Sequence, residues 1–342
     1  MSLRDLKPPE PGEWVEFADE RRRLLLYGGD VTDPLGTLSD EDWGDFELFS
    51  TARALSGSAG LGEAAARTHL VPDGGVPEAA AAIIDDVGSD RLIAFGGGRV
   101  IDSAKAVAAV RGGEVAAIPT TLSGAPLTAI HRLPAGRDAA AGVRPSLVVA
   151  YADAMTSAPE PQLRATAMNA LAHGSDSLFT PLADETSRET GLRGAELVAR
   201  ALDQAHAERD RAALALGAIL CGIAVDRAGI ALHHVLGQTT VRVLGTPHAE
   251  TYAALIPHTM EAMRARAPEQ AEGLASAIGA GADGLQARIA ELAGHRGLGE
   301  LGADRGRIDE VVDAAMTRPE LEHMTPGEVR PADLTAILEA AW

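Results

Sequence analysis

Five histidines and one asparagine in the second half of the chain have spacings that suit a chemical site. Asn169 and His173 are four residues apart, so on a helix both project from one face. His233 and His234 are adjacent, and His248 and His258 each follow a proline. Imidazoles in this number suit either ligation of a divalent ion or proton transfer near neutral pH. A lone helical histidine is more often structural. His233 reads that way because it shares a helix with His234 but points elsewhere, and His258 because it begins a new helix after Pro257.

A second stretch, residues 91–128, carries a different chemistry: RLIAFGGGRVIDSAKAVAAVRGGEVAAIPTTLSGAPLT. Residues 92–95 predict a buried strand. Gly96, Gly97 and Gly98 follow at once and allow a sharp turn that a phosphate can approach closely. Residues 100–110 have helical spacing, and the free N–H groups at that helix start favour an anion. A second strand, 115–118, ends in Pro119-Thr120-Thr121, whose hydroxyls can reach a phosphate or ribose. Ligands of open α/β sheets sit at such strand ends. A glycine turn alone reads equally well as a tight turn. Lys105, one of only two lysines with Lys7, is either functional or a chance residue on a solvated helix face.

The elements that must position these residues fall into two patterns. Residues 1–20 are polar and proline-rich and read as a loose lead-in. Strands are expected at 24–27, 46–49 and 69–71, helices at 60–68 and 77–87, and paired strands or a hairpin at 129–133 and 146–150. Strands alternating with helices predict a mostly parallel sheet wound on both faces, an α/β dinucleotide-binding domain over residues 1–153. Ser50 ends the second strand, where such folds often place an acidic residue on the ribose, and Arg53 is nearby. That combination leaves NADP open beside NAD. From 154 to 342 helical periodicity dominates and predicts an all-helical catalytic domain, with one short strand or loop at 240–244.

A chain of 342 residues accommodates two cores, and the 46% apolar fraction is ordinary for a soluble globular protein. The formal charge of −19 argues against nucleic acid or an anionic membrane as a partner and leaves a small-molecule substrate. The sole cysteine, Cys221, excludes an intrachain disulfide, fits a reducing cytoplasm and reads as a core residue. The N-terminus has no apolar signal-peptide core, and no apolar run is long enough for a membrane helix.

GGGRVIDSAK followed by PTTLSGAPLT resembles the iron-containing alcohol dehydrogenase superfamily. The second block, with Met168-Asn169-Ala170 and Pro247-His248-Ala249-Glu250-Thr251, is similar to its maleylacetate reductase branch. The resemblance implies the dehydroquinate synthase-like fold of that superfamily, NAD or NADP as cofactor, and a homodimer. It places the cofactor on Gly96, Gly97, Gly98, Asp102, Thr120, Thr121 and Thr128, with Ser50 added from the strand argument. A loop glutamate of many members is Pro126 here. Metal-bearing members use an aspartate and a histidine four residues apart, then two further histidines. The matching positions are Asn169, His173, His234 and His248 when the second block is matched without a gap. A gapped match, anchored on His234-Val235-Leu236-Gly237, would put Ile230 at the third position. In the ungapped match a non-ligand histidine near the substrate has become Gln238.

The resemblance to the maleylacetate reductase branch implies a metal-independent NAD(P)H-dependent reductase of a keto acid such as maleylacetate; Asn169 removes the only anionic ligand, while three imidazoles alone can still hold zinc. A proton donor must then replace the metal: His234 first, then His248 and His173. Gln238 donates a hydrogen bond but no proton. Arg132 and Arg242 are the candidate cations for a dicarboxylate. The competing readings are a metal-dependent alcohol or polyol dehydrogenase, a member that has lost turnover and serves as a binding module, and a non-redox biosynthetic enzyme that uses bound NAD.

Overall fold

The computed structural model describes residues 3–139, 141–294 and 296–342. The chain divides into two compact units. The first runs to Ala158 and takes in Arg211–Leu216; the second comprises Pro159–Asp210 and Gly217–Trp342.

The first unit is built on a seven-stranded sheet. Its strands are β1 (Trp14–Ala18), β2 (Arg23–Tyr27), β3 (Glu47–Ser50), β4 (Arg67–Leu70), β5 (Arg91–Gly96), β6 (Glu114–Pro119) and β7 (Leu147–Tyr151). They lie in the order β1-β2-β7-β6-β5-β3-β4. Only β1 pairs antiparallel, with β2; the other neighbours are parallel. The central strands read as continuous apolar runs because both faces are covered. Leu92 and Ala94 of β5 join one core with Val100, Ile101, Ala104 and Val107. Ile93 and Phe95 face the other way, onto Leu48, Ile118 and Tyr151. The helix that supplies Val100 to Val107 is α1 (Gly98–Arg111), and Gly112 ends it with a φ of +84°. The chain passes from β3 outward to β4 and then back across to β5, so the order reverses at the β3/β5 boundary. In such sheets the crevice at the C-terminal strand ends lies there. β5 reaches it with Gly96.

The second unit is helical, and no strand lies beyond Tyr151 among the described residues. The helices that matter to the site are α2 (Glu160–Phe179), α3 (Glu185–Asp203), α4 (Arg211–Ala228, counted with this unit from Gly217), α5 (Leu232–Leu244), α6 (His248–Arg266) and the short α7 (Pro319–His323). Glycines let α2, α3 and α4 approach closely. A Cβ on Gly174 would lie 2.7 Å from the Cys221 sulfur, and one on Gly194 would lie 2.6 Å from it. Cys221 is fully buried there, and burial pushes its thiol up to about 12, so it is an inert packing residue. No single helix among the described residues is long and apolar enough to cross a membrane.

Several local expectations are corrected. The polar lead-in contains β1, which gains its order by pairing with β2 rather than from its own half-exposed sequence. The helix expected at 60–68 stops at Ala64, and β4 begins at Arg67. The helix expected at 77–87 is Val76–Ala81 followed by a 3-10 turn at Ile84–Asp86. Residues 129–133 form no strand; β7 inserts in parallel between β2 and β6 instead of closing a hairpin. Residues 240–244 are the end of α5, where burial of Thr239 and Thr240 overrides their β-branched preference. Pro257 and His258 sit inside α6 rather than opening a helix.

Candidate active site

In the first unit the candidate nucleotide site is mostly backbone. Gly97 caps α1 with no side chain, so the amides of Gly98 and Arg99 open the helix without a capping oxygen. The space around the turn is tight. A Cβ on Gly96 would meet Val100 at 2.8 Å, and one on Gly98 would meet the Ser123 hydroxyl at 2.9 Å. The buried hydroxyls of Thr121 and Ser123 have no hydrogen-bond partner among the described residues. Ser123 is a member of this cluster that the spacing argument missed. The Thr120 amide donates to the Gly96 carbonyl at 3.0 Å and ties the threonine loop to the turn. Thr128 is buried.

Two residues in this unit differ from expectation. Ser50 is fully buried and donates its hydroxyl to the Phe95 carbonyl at 2.7 Å, so it joins β3 to β5 instead of facing a ligand. Lys105 is not on a solvated face. It is fully buried, and its ammonium donates to Asp102 Oδ1 at 2.7 Å, the Ala125 carbonyl at 3.0 Å and the Ile130 carbonyl at 2.8 Å. The lysine thus pins the loop carrying Pro126 and Thr128 to α1. It also occupies one oxygen of Asp102.

In the second unit the histidines assemble from three helices. Asn169 and His173 leave α2 on one face, and Asp176, seven residues beyond Asn169, shares that face. Asp176 is fully buried and was not foreseen. Its Oδ2 accepts from His234 Nδ1 at 2.8 Å, from the His234 amide at 3.1 Å and from the Ala231 amide at 3.0 Å. One carboxylate therefore satisfies open N–H groups at the start of α5 and orients an imidazole there. Its negative charge also suits the positive end of that helix. Burial alone would raise the Asp176 pKa. The His234 hydrogen bond, helped by nearby imidazole charge and the Ala231 amide, brings it below the ordinary carboxylate value. With Nδ1 committed to Asp176, His234 presents Nε2, which is buried and has no partner among the described residues.

The His173 and His234 rings stack at a centroid separation of 4.4 Å and 16° from parallel. Burial, and then the neighbouring His234, His248 and His233, push the His173 pKa well below the usual imidazole value, so this ring is neutral. Tyr252, one turn into α6, packs on three imidazoles, with ring centroids 5.4 Å from His233, 5.1 Å from His234 and 4.5 Å from His248. Gly245, with a φ of +69°, ends α5, and Pro247 starts α6, which brings His248 back beside this cluster. The structure therefore gathers His173, His234 and His248, with Asn169 one turn away on α2.

His233 turns aside: its Nδ1 pairs with the Thr259 hydroxyl at 2.8 Å, and burial lowers its pKa to about 3. His258 accepts from Gln286 at 3.2 Å and lies outside the cluster. Arg132 and Arg242 are exposed. A further cation beside α5 is Arg318, at the start of α7. Both of its terminal nitrogens contact Gln238 Oε1 at 3.1 Å.

Known proteins supply the remaining context. Residues 164–342 match the model of the Fe-containing alcohol dehydrogenase family, C-terminal. A maleylacetate reductase of Rhodococcus opacus is 29% identical over 264 residues, covering 74% of this chain and 73% of that protein. One from Pseudomonas aeruginosa is 31% identical over 282 residues, covering 78% of each. The crystal structure of maleylacetate reductase from Rhizobium sp. strain MTP-10005 superposes with a TM-score of 0.81 at 23% identity, over 96% of this chain and 98% of that one. The chain belongs to the Fe-containing alcohol dehydrogenase family and is an NAD(P)-dependent oxidoreductase.

Proposed function

We propose that the chain is a metal-independent reductase that carries hydride from NAD(P)H to the ketone of a keto acid such as maleylacetate, with His234 as the proton donor. The observation that carries this reading is the buried Asp176–His234 couple, whose Nε2 is left without a protein partner. Asp176 fixes the ring through Nδ1, so that Nε2 is the nitrogen left to pass a proton to the developing alkoxide. His173, kept neutral by burial, stacks on the His234 ring, and Tyr252 packs against it, so His234 is the first candidate for the acid. His248 is the second candidate, one face of Tyr252 away.

The nucleotide phosphates would rest on Gly96, Gly97 and Gly98, with the open amides of α1 and the hydroxyls of Thr121 and Ser123 as donors. Thr120 and Thr128 complete the loop, and Asp102 acts through Lys105 as its anchor. When bound, the nicotinamide supplies the hydride.

The neutral oxygen of Asn169 supports the metal-free reading, although three imidazoles alone can hold zinc. Asn169 offers a neutral oxygen where metal-bearing relatives are expected to have a carboxylate. Stacked rings hold the nitrogen lone pairs of His173 and His234 in nearly parallel planes, whereas ligands converge on a point about 2 Å from each nitrogen.

The test is NADH and NADPH oxidation with maleylacetate and related keto acids, before and after chelation. Unchanged turnover is expected. Strict dependence on added zinc or iron would defeat the metal-free reading, and no turnover with any keto acid would defeat the reductase reading.

A further inference from the structure

Gln238 lies one helical turn beyond His234 on α5, so the two side chains leave the same face. It is partly exposed in a run where its neighbours on both sides are buried. Its carbonyl oxygen sits in the terminal fork of Arg318, 3.1 Å from Nη1 and 3.1 Å from Nη2. Arg318 is itself clamped by Glu320, through Nε to Oε2 at 3.2 Å and Nη2 to Oε1 at 2.8 Å.

A guanidinium carries only donors, so only the oxygen end of a carboxamide can enter its fork. A free glutamine turns either end toward a ligand; this one cannot. Its NH2 is directed away from Arg318, and none of the described hydrogen bonds engages it. Glu320 balances the charge of Arg318, so the pair offers an aimed donor rather than a bare cation. The four residues from His234 to Gln238 rise about 6 Å, within the span separating a ketone from a carboxylate of a short keto acid.

We infer that Arg318 is a positioning residue that fixes Gln238 as a hydrogen-bond donor to a substrate carboxylate, so that the site selects keto acids over neutral ketones. This rests on the keto-acid reading above and adds the residues that impose it. A donor aimed at an anion makes one of the stronger hydrogen bonds available to a neutral side chain, and a neutral ketone gains nothing from it. Gln238 cannot release a proton at neutral pH, so it shares no role with His234.

The test is calorimetric titration of the full chain, saturated with NAD⁺ or NADP⁺, using two probes that the oxidised nucleotide can neither reduce nor oxidise: adipate and the neutral 2-heptanone. Gln238→Ala is expected to weaken adipate roughly 10- to 100-fold and to leave 2-heptanone unchanged. Arg318→Met frees the amide to turn and is expected to weaken adipate in the same sense but less. Gln238→Ala leaves the Arg318–Glu320 pair in place, so it carries the test if Arg318→Met lowers the Tm. Equal loss of both probes, or adipate binding unchanged by either substitution, overturns the inference. So does failure of the wild type to prefer adipate. Absence of keto-acid turnover in the presence of this binding pattern would sink the reductase reading alone.

Discussion

The glycine turn of the first unit and the histidine face of the second are built from different materials. The turn is backbone: three glycines, two open amides and a loop held by hydrogen bonds, all from residues 96–128. The face is side chain: an aspartate on α2 orients an imidazole on α5 that lies 58 residues away in sequence. A backbone site is specified locally and tolerates little added volume. A side-chain site is specified by partners, and the group that does the chemistry depends on a second group with no substrate contact of its own.

If that division holds, the two regions break differently. His234→Gln is expected to have the largest effect, a fall in kcat of roughly 10²- to 10⁴-fold, with nucleotide affinity unchanged in a fluorescence titration. A comparable loss of nucleotide affinity would show that the two regions are not separable. Lys105→Met comes next. It removes the donor for Asp102 and two carbonyls and is expected to cost about 3 kcal/mol in urea unfolding, with weaker nucleotide binding from a loosened loop. An unchanged urea midpoint would mean the buried ammonium contributes no net stability. Gly98→Ala is the converse of the histidine change. Its Cβ would crowd the Ser123 hydroxyl at 2.9 Å, so nucleotide binding should weaken about tenfold, or 1.4 kcal/mol, while kcat at saturation holds.

The smallest effect concerns the anchoring of α2 rather than its chemistry. Glu160 accepts from Arg209 and Arg164, and the Arg209 hydrogen bond is the main reason its pKa is lowered from 4.5 to about 2, against the opposing effect of burial. A depressed carboxylate contributes stability that is complete above its unfolded value and is lost as pH falls through its folded one. With a third of the side chain exposed, that contribution is discounted to about 1–2 kcal/mol. Glu160→Gln should therefore destabilise the protein by that amount at pH 7. The difference from wild type should shrink below pH 4.5 and vanish near pH 2. Chemical denaturation at pH 7 and pH 3 would show it; an equal gap at both would contradict it.

What was legible in the sequence follows the same division. The glycine turn, β5, α1 and β6 are read from adjacent residues, because strand period, turn glycines and helix spacing are local signals. The histidine cluster is also visible, through the four-residue step from Asn169 to His173 and the Pro247-His248 turn. Asp176 was missed because its partner is distant, although its place three residues after His173 on one helix face was a usable signal. The sequence leaves Lys105 open between a functional and a solvated residue, because two of its acceptors are main-chain carbonyls of a later loop, which no side-chain pattern records. Arg318 gave no local sign at all: its meaning comes from Gln238, 80 residues earlier. The edge strand β1 failed for a related reason, since its order depends on pairing with β2.

The most direct measurement is single-turnover NADH oxidation by metal-stripped enzyme with maleylacetate, run beside His234→Gln under the same conditions. The stripped wild type should keep its full rate, and the variant should lose at least about a hundredfold. A stripped wild type that stalls and recovers with one equivalent of zinc or iron, or a variant that keeps pace with it, would contradict the assignment of the proton to the Asp176-backed imidazole.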